Sequence, residues 1–348
     1  MAYKSRAKRR ADQRLGTVYE SGKLGLEYRS AKLKKYEDYY FNRQHDDKED
    51  WFAAEGAPEY IPIHNRKPRI IFPLCEIITS RIAAKLYGEN IFPKLIVEEN
   101  PDASTALQNI VEGLDLRSFA IEYAKLGMAL GSVFVRVKLH EGYIGLEPYS
   151  SNVCHPVFDA SGDLEELKVQ YVYEDASKLD PQTKEPMKFW YCFKLTKDSD
   201  ILYDNPEYTT GAKPKFKVVD KVDHGLGAVQ GEWLKLTTDT LKIDGISLIK
   251  DILGLADSLS YNLSMSDRAS IYGIDPQLVI RGMDAEELDN LIKSKDKSWS
   301  LGREGEANFL ELSNTGVVAA TEFEMHLQRK AQEITTVSYT HLRAHRDS

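Results

Sequence analysis

Cysteine is scarce in this sequence: Cys75, Cys154 and Cys192 are the only three in 348 residues, and they stand far apart. None forms a CxxC or a Cys/His pair at metal-ligand spacing, so free, reduced thiols are expected. Long apolar runs are missing as well. The longest apolar stretch, residues 70–97, is broken by Pro73, Glu76, Arg81, Lys85 and Pro93 and is too interrupted to span a bilayer. The charged first residues lack the apolar core of a secretory signal. An excess of positive charge is absent too. The 54 acidic residues outnumber the 46 basic ones, for a net charge of −8, which argues against a broad basic face gripping nucleic acid. It leaves room for an acidic wall past which nucleic acid slides. There is no GxxxxGK[ST] loop and no GxSxG elbow.

What is present suits a folded chain. A hydrophobic content of 42% with 29% charged residues supports a sizeable core in two or three domains. Residues 1–14 carry Lys4, Arg6, Lys8, Arg9, Arg10 and Arg14 against Asp12 alone. They read as a solvated, mobile arm in preference to a nucleic-acid contact. At the other end, residues 337–348 follow a helical pattern abruptly and have no apolar period. Val337-Ser338-Tyr339-Thr340-His341-Leu342-Arg343-Ala344-His345 resembles a translated transposase sequencing adapter. The natural sequence is therefore expected to depart near Thr336, and the HxxxH of His341 and His345 to carry no chemistry.

Between these ends the pattern alternates. An aromatic-rich helix ends in Tyr36, Tyr39, Tyr40 and Phe41, and a polar loop follows over 42–50. Pro73 and Gly88 bracket a helix with Leu74, Ile77, Ile78, Ile82 and Leu86 on its core face. A second helix opens near Asp102 or Ser104, with Leu107, Ile110, Val111 and Leu114 on one side. A third covers 116–130 and stops at Gly131. The period then changes to two: Val133, Val135, Val137 and Leu139 alternate with Phe134, Arg136 and Lys138 as a half-buried strand. His140-Glu141-Gly142 turns into a return strand over 143–147. Further strands are expected at 153–158, 167–173, 189–195 and 216–219, with a turn at Ser161-Gly162-Asp163. The fold class is α+β.

From Gly245 the helical period returns. Ile249, Ile252, Ala256, Leu259 and Leu263 recur at steps of three and four, a seam of coiled-coil width capped by Asp244 or Ser247. Asp251, Asp257 and Asp267 lie off it. So narrow a seam predicts packing against another helix. Pro276 stops the helix, Leu278-Val279-Ile280 and Phe309-Leu310-Glu311-Leu312 read as strands, and a last helix opens at Thr321 with Glu324 completing a capping box. Phe323, Leu327, Ala331 and Ile334 form its stripe. The sum is a helical hairpin with an insert at its tip.

Reactive constellations are few. His224-Gly225-Leu226-Gly227-Ala228-Val229-Gln230-Gly231 invites comparison with a phosphate loop, yet its third glycine comes one place late and 232–236 opens no amphipathic helix. His140 and His155, near Glu141, Glu147 and Asp159, read as turn or surface residues before they read as a metal or acid–base site. Cys154 reads as a half-buried strand cysteine. No catalytic, metal or cofactor site is expected.

Two segments resemble the portal proteins of tailed bacteriophages. One is Gly127 with Gly131-Ser132-Val133-Phe134-Val135-Arg136-Val137, continued by Ile144, Leu146-Glu147-Pro148-Tyr149-Ser150-Ser151-Asn152-Val153 and Val157-Phe158-Asp159-Ala160-Ser161-Gly162-Asp163-Leu164. The other is His224-Gly225-Leu226-Gly227-Ala228-Val229, then Asp244-Gly245-Ile246-Ser247-Leu248-Ile249-Lys250-Asp251 and Leu255-Ala256-Asp257-Ser258-Leu259. Asn262 and Ser264 keep its character, and 274–282 resembles the turn into a clip. Tyr36-Glu37-Asp38-Tyr39-Tyr40 adds weaker support. Order and spacing, more than any one motif, carry the likeness, and Gln230-Gly231 departs from it where the family often has proline.

The resemblance implies a portal-like architecture. Residues 1–35 would be the basic arm and first helix, and 36–243 a mixed α/β wing. Residues 244–273 would be the first stem helix, and 274–320 a small α/β clip containing Pro276, Leu278, Ile280, Phe309 and Leu312. Residues 321–336 would begin the second stem helix, with the crown absent. It further implies a non-enzymatic ring, typically of twelve copies, whose seam is completed by neighbouring subunits. Such a ring sits at a capsid vertex of the virion and assembles in the host cytoplasm, with no membrane contact. Its implied partners are the terminase large subunit, major capsid and scaffolding proteins, a head-completion adaptor, and double-stranded DNA passing without sequence specificity. Asp251, Asp257 and Asp267 would form acidic rings if they face the channel, or would simply be solvated outside it. Another phage head or adaptor protein is the alternative, and a metal-dependent nuclease a distant one.

Overall fold

The computed structural model describes residues 23–88, 92–93, 97, 100–140, 143–210, 214–236, 243–274, 277–281, 306–310 and 315–334. Its helices are α1 (Lys23–Tyr40), α2 (Trp51–Glu55), α3 (Leu74–Tyr87), α4 (Pro101–Gly113), α5 (Leu116–Leu130), α6 (Leu253–Ile274) and α7 (Thr315–Ile334). Its strands are β1 (Ser132–His140), β2 (Tyr143–Ser150), β3 (Cys154–Phe158), β4 (Leu164–Leu179), β5 (Pro186–Thr196), β6 (Ser199–Tyr203), β7 (Val218–Asp223), β8 (Gly231–Lys235), β9 (Gln277–Arg281) and β10 (Glu306–Leu310). The chain is α+β, and its described residues fall into two compact units. One is drawn from 23–44 and 73–253, the other from His45–Phe72 and Gly254–Glu333.

In the first unit α3 and α5 pack through small residues. Ala83 and Ala124 are fully buried beside Met128, so the two helices approach closely. Pro73 and Gly88 bound α3 as the sequence indicates. Gly131 ends α5 in the left-handed region, φ 93°, and its N–H bonds the Gly127 carbonyl at 2.7 Å. The chain then enters β1, the centre of an antiparallel sheet ordered β2-β1-β8. Val133 faces Ser150 and Leu234, and Phe134 faces Tyr149 and Trp233. A second antiparallel sheet runs β3-β4-β5-β6-β7. Phe134 and Trp233 from the first sheet join Leu167, Val169, Phe193 and Leu195 from the second in one core.

One buried ion pair ties this core to α1. Arg29 donates to both carboxylate oxygens of Asp244 at 2.7 and 2.8 Å, to the Cys154 carbonyl at 3.1 Å and to the Ser151 carbonyl at 3.2 Å. Its guanidinium lies 6.0 Å from the Trp233 ring, whose Nε1 donates to the Ile243 carbonyl.

Several elements differ from the sequence expectation. β4 is 16 residues long, more than twice the stretch read from 167–173, because it pairs on both sides, with β3 and with β5. The strand expected at 216–219 lies at Val218–Asp223. β6 and β8 were not expected. Each is only five residues; β6 returns on β5 as a tight hairpin, and β8 pairs with β1 about 100 residues away. Residues 45–72, placed in the wing by sequence, belong to the second unit.

In that second unit the 45–72 segment lies along α6. Ser260 Oγ accepts from Phe72 N–H at 3.1 Å and Ser264 Oγ from Ile70 N–H at 3.0 Å. The Tyr261 hydroxyl lies 3.0 Å from the His64 and Arg66 carbonyls and accepts from Lys48 Nζ at 2.8 Å. Buried serines thus satisfy the backbone of an irregular segment that makes no ladder of its own.

Candidate functional site: the α6–α7 hairpin

α6, a two-stranded insert and α7 follow one another in the second unit. At 22 and 20 residues, the helices are about 33 and 30 Å long at 1.5 Å per residue. The insert pairs β9 with β10 antiparallel, Leu278 opposite Phe309 and Ile280 opposite Ala307. The strand expected at 278–280 and the placement of a strand pair between long helices stand, while the second strand, expected at 309–312, lies at Glu306–Leu310. Pro276 and Leu312 lie outside the described residues, as do 337–348.

The helix boundaries are corrected at both ends. α6 begins at Leu253, not at 244. Residues 248–252 form turns, and 244–248 dock on the end of α5. Gly245 N–H donates to Ser132 Oγ at 2.9 Å and Leu248 N–H to the Met128 carbonyl at 2.9 Å. Ser247 Oγ donates to the Ala129 carbonyl at 2.5 Å, so it caps nothing. α7 begins at Thr315, six residues before the expected Thr321. Glu324 is buried in mid-helix, accepting from Ser266 Oγ of α6 at 3.0 Å, so no capping box forms. The inward stripe of α7 is Glu324, Leu327 and Ala331. Phe323, expected inside, is half exposed.

The seam residues are buried within a single chain. Ile249, Ile252 and Leu259 are inaccessible to solvent and Ala256 nearly so, while Leu263 is half-buried. A neighbouring subunit is not needed to cover them, which corrects that expectation. Of the three acids off the seam, Asp267 pairs with Arg69 at 2.7 Å, and Asp257 lies 3.2 Å from the buried His45 imidazole. Asp251 is the most exposed and sits 3.7 Å from Lys250. Each acid thus has a basic neighbour.

Of the remaining sequence candidates, Glu141 and the His140 side chain lie outside the described residues, and the others stand in local contacts. His224 Nδ1 accepts from Leu226 N–H at 3.2 Å, its backbone N–H donates to the Asp198 carbonyl at 2.9 Å, and its Nε2 lies 3.5 Å from Asp200. Asp200 in turn accepts from Arg136 at 3.1 Å. The His-Gly-x-Gly stretch therefore pins the β7–β8 connection to β6 and β1, and β8 follows where a phosphate loop would need a helix. Arg136 and Asp200 also line a cleft of about 440 Å³ with Phe193, Leu202 and Val222, their charges directed at each other. Cys154 is fully buried, beyond the half-burial expected, and burial pushes its thiol well above the usual range. Asp159 is engaged in its own turn, accepting from the backbone of Ser161, Gly162 and Asp163 and from Lys197. Among the described residues no group of three His, Cys, Asp or Glu could hold a metal ion, and no helix is long and apolar enough to cross a membrane.

His155 stands on the edge strand β3 opposite Lys168. Desolvation first, then Arg29 and Lys168, push its pKa from 6.5 down to about 4. The unfolded chain therefore binds the proton more tightly than the folded one. The stabilisation is complete above pH 6.5 and is lost as pH falls from 6.5 towards 4. His155→Gln should flatten this part of the stability profile, a change read from urea midpoints at pH 7.5, 5.5 and 4.5. Part of the His155 side chain still reaches solvent from the edge strand, and screening there reduces the effect.

No protein-family model matches the sequence, and no curated protein matches it.

Proposed function

We propose that the chain is a portal subunit of a tailed bacteriophage, a ring component at one capsid vertex. In this role it nucleates head assembly, docks the terminase and later a head-completion protein, and conducts double-stranded DNA during packaging and ejection. It hydrolyses nothing itself; terminase supplies the ATP chemistry. The observation that carries the reading is the order of elements in the second unit: a long helix, a paired β insert and a returning long helix, following an α+β unit. That order is the one a stem with a clip at its end requires. The acid–base pairs at Asp257 and Asp267 refine the channel idea. Repeated around a ring, the Asp267–Arg69 pairs would give a wall of alternating charge, which neither binds phosphate tightly nor repels it strongly.

A second reading, another head or adaptor protein, is favoured by the seam, because a seam closed within one chain supplies no interface to a neighbour. Negative-stain electron microscopy and native mass spectrometry of the purified chain, and of residues 1–336, separate the two. Closed rings with an axial channel are expected, and the mass gives the copy number. A folded monomer at all concentrations, or an open filament, would overturn the portal reading.

A further inference from the structure

The facing sides of the two sheets in the first unit change character from one end to the other. Along β1, Phe134 lies in the shared core, and the next two residues on its side of the strand are Arg136 and Lys138. Along β5, Leu195 and Phe193 are buried, and Tyr191 continues their side. Register carries that side onto the neighbouring strands: Asp200 stands opposite Leu195 and Val222, and Leu202 opposite Phe193 and Asp220. A three-stranded sheet cannot cover a five-stranded one, and the β6–β7 end stays open, with Leu202 37% and Val222 55% exposed. The cleft of about 440 Å³ lies at this end. Charged residues at inward-facing strand positions break the alternation that a sandwich core requires, and function is the usual reason.

Two buried atoms on the lining have no hydrogen-bond partner in the protein. The Arg136–Asp200 bond occupies one terminal nitrogen of the guanidinium and Asp200 Oδ2. Arg136 Nε, a donor, and Asp200 Oδ1, an acceptor, are left over; His224 Nε2, 3.5 Å from Oδ1, is unbonded as well. The lining carries no net charge, because Arg136 and Lys138 are balanced by Asp200 and Asp220. Glu147 stands 3.4 Å from the Lys138 ammonium besides, so an anion finds both bases already matched. Among the described residues no set of acids and histidines converges on a metal ion. The two unpaired atoms call for a group that accepts from Nε and donates to Oδ1, and a hydroxyl does both. Tyr191 adds aromatic surface, whose electron-rich face attracts the C–H side of a ring. The volume falls within the roughly 300–1,000 Å³ of small-molecule sites.

We propose that the cleft binds a neutral hydroxylated ring, a single sugar unit, with one hydroxyl bridging Arg136 Nε and Asp200 Oδ1 and the ring against Tyr191. The site lies within one subunit, so it stands or falls independently of the ring assembly. A free sugar and the end of a glycan chain share this chemistry. For a chain, further rings have a surface to follow: Tyr171 packs on Tyr191 at 5.2 Å between centroids and Tyr173 on Phe189 at 6.1 Å, all four half-buried.

Saturation-transfer difference NMR on the whole chain, with glucose, N-acetylglucosamine and maltotriose as probes, tests the site. Transfer to the ring protons of at least one sugar is expected, with a dissociation constant of about 1 mM or tighter. Asp200→Asn keeps the size of the side chain but removes the charged acceptor, and should weaken binding about tenfold. Because that change also touches the Arg136 bond, Val222→Trp is the second variant. At an exposed position it narrows the mouth of the cleft, and it should abolish transfer while the urea midpoint stays at the parent value. Maltotriose binding more tightly than glucose would mark the ligand as a glycan end, and equal affinity as a free sugar. No transfer to any of the three would overturn the proposal. So would transfer undiminished by either variant, which would place the sugar elsewhere on the chain.

Discussion

Replacing Gly131 with alanine should destabilise the first unit by roughly 3 kcal/mol or more, the sum of left-handed backbone strain and a backbone collision. At φ 93° a side chain is strained in any surroundings, and here a Cβ would also meet the carbonyl group of Gly245, 2.7 Å from its carbon. That obstacle is backbone and cannot rotate away. Relief requires moving the 244–248 segment off the end of α5. The bonds from Gly245 to Ser132, from Ser247 to Ala129 and from Leu248 to Met128 would be lost or lengthened together. The urea midpoint of the first unit, followed by tryptophan fluorescence, should fall accordingly. Gly113→Ala in the same unit is the counter-experiment. Nothing lies within 4 Å of its Cβ, so it should be neutral or add about 0.5 kcal/mol through lower chain entropy. Equal effects at the two positions would show that the Gly131 geometry imposes no special demand.

That glycine was also among the most legible features of the sequence, for the same reason. A period-3.6 pattern ending in Gly131 and a period-2 pattern starting at Val133 leave room only for a helix cap between them, and α5, β1 and β2 follow as expected. Local rules failed where long-range bonds decide. Ile249 and Ile252 extend the seam backwards at helical spacing, yet α5 holds their segment in turns. Thr321 and Glu324 match a capping box, yet Ser266 takes the glutamate and the helix starts earlier. β6 and β8 are too short to show a period, and the position of 45–72 along α6 depends on serines roughly 200 residues away in sequence. The candidate hairpin was legible as an order of elements. Its seam was misread because spacing fixes which residues share a face and says nothing of what covers that face.

The Arg29–Asp244 pair, 215 residues apart, left no trace in the sequence, and breaking it should have an effect as large as any in the first unit. Arg29→Ala removes four hydrogen bonds and leaves Asp244, with only 18% of its side chain exposed, facing the Ser151 and Cys154 carbonyls without a cation. Severing one side of a buried pair typically costs about 3–5 kcal/mol, mostly the penalty of the stranded charge. Arg29→Lys should recover little of this, because a single ammonium cannot span both carboxylate oxygens and two carbonyls at once. The double variant Arg29→Met with Asp244→Leu should be less destabilised than Arg29→Ala, since no uncompensated charge remains. A double-mutant cycle on urea midpoints measures the difference directly. Added salt should change the coupling little, because both groups are shielded from the ionic atmosphere. A coupling near zero would mean that α1 is anchored by packing alone, with the pair merely accommodated beneath Trp233.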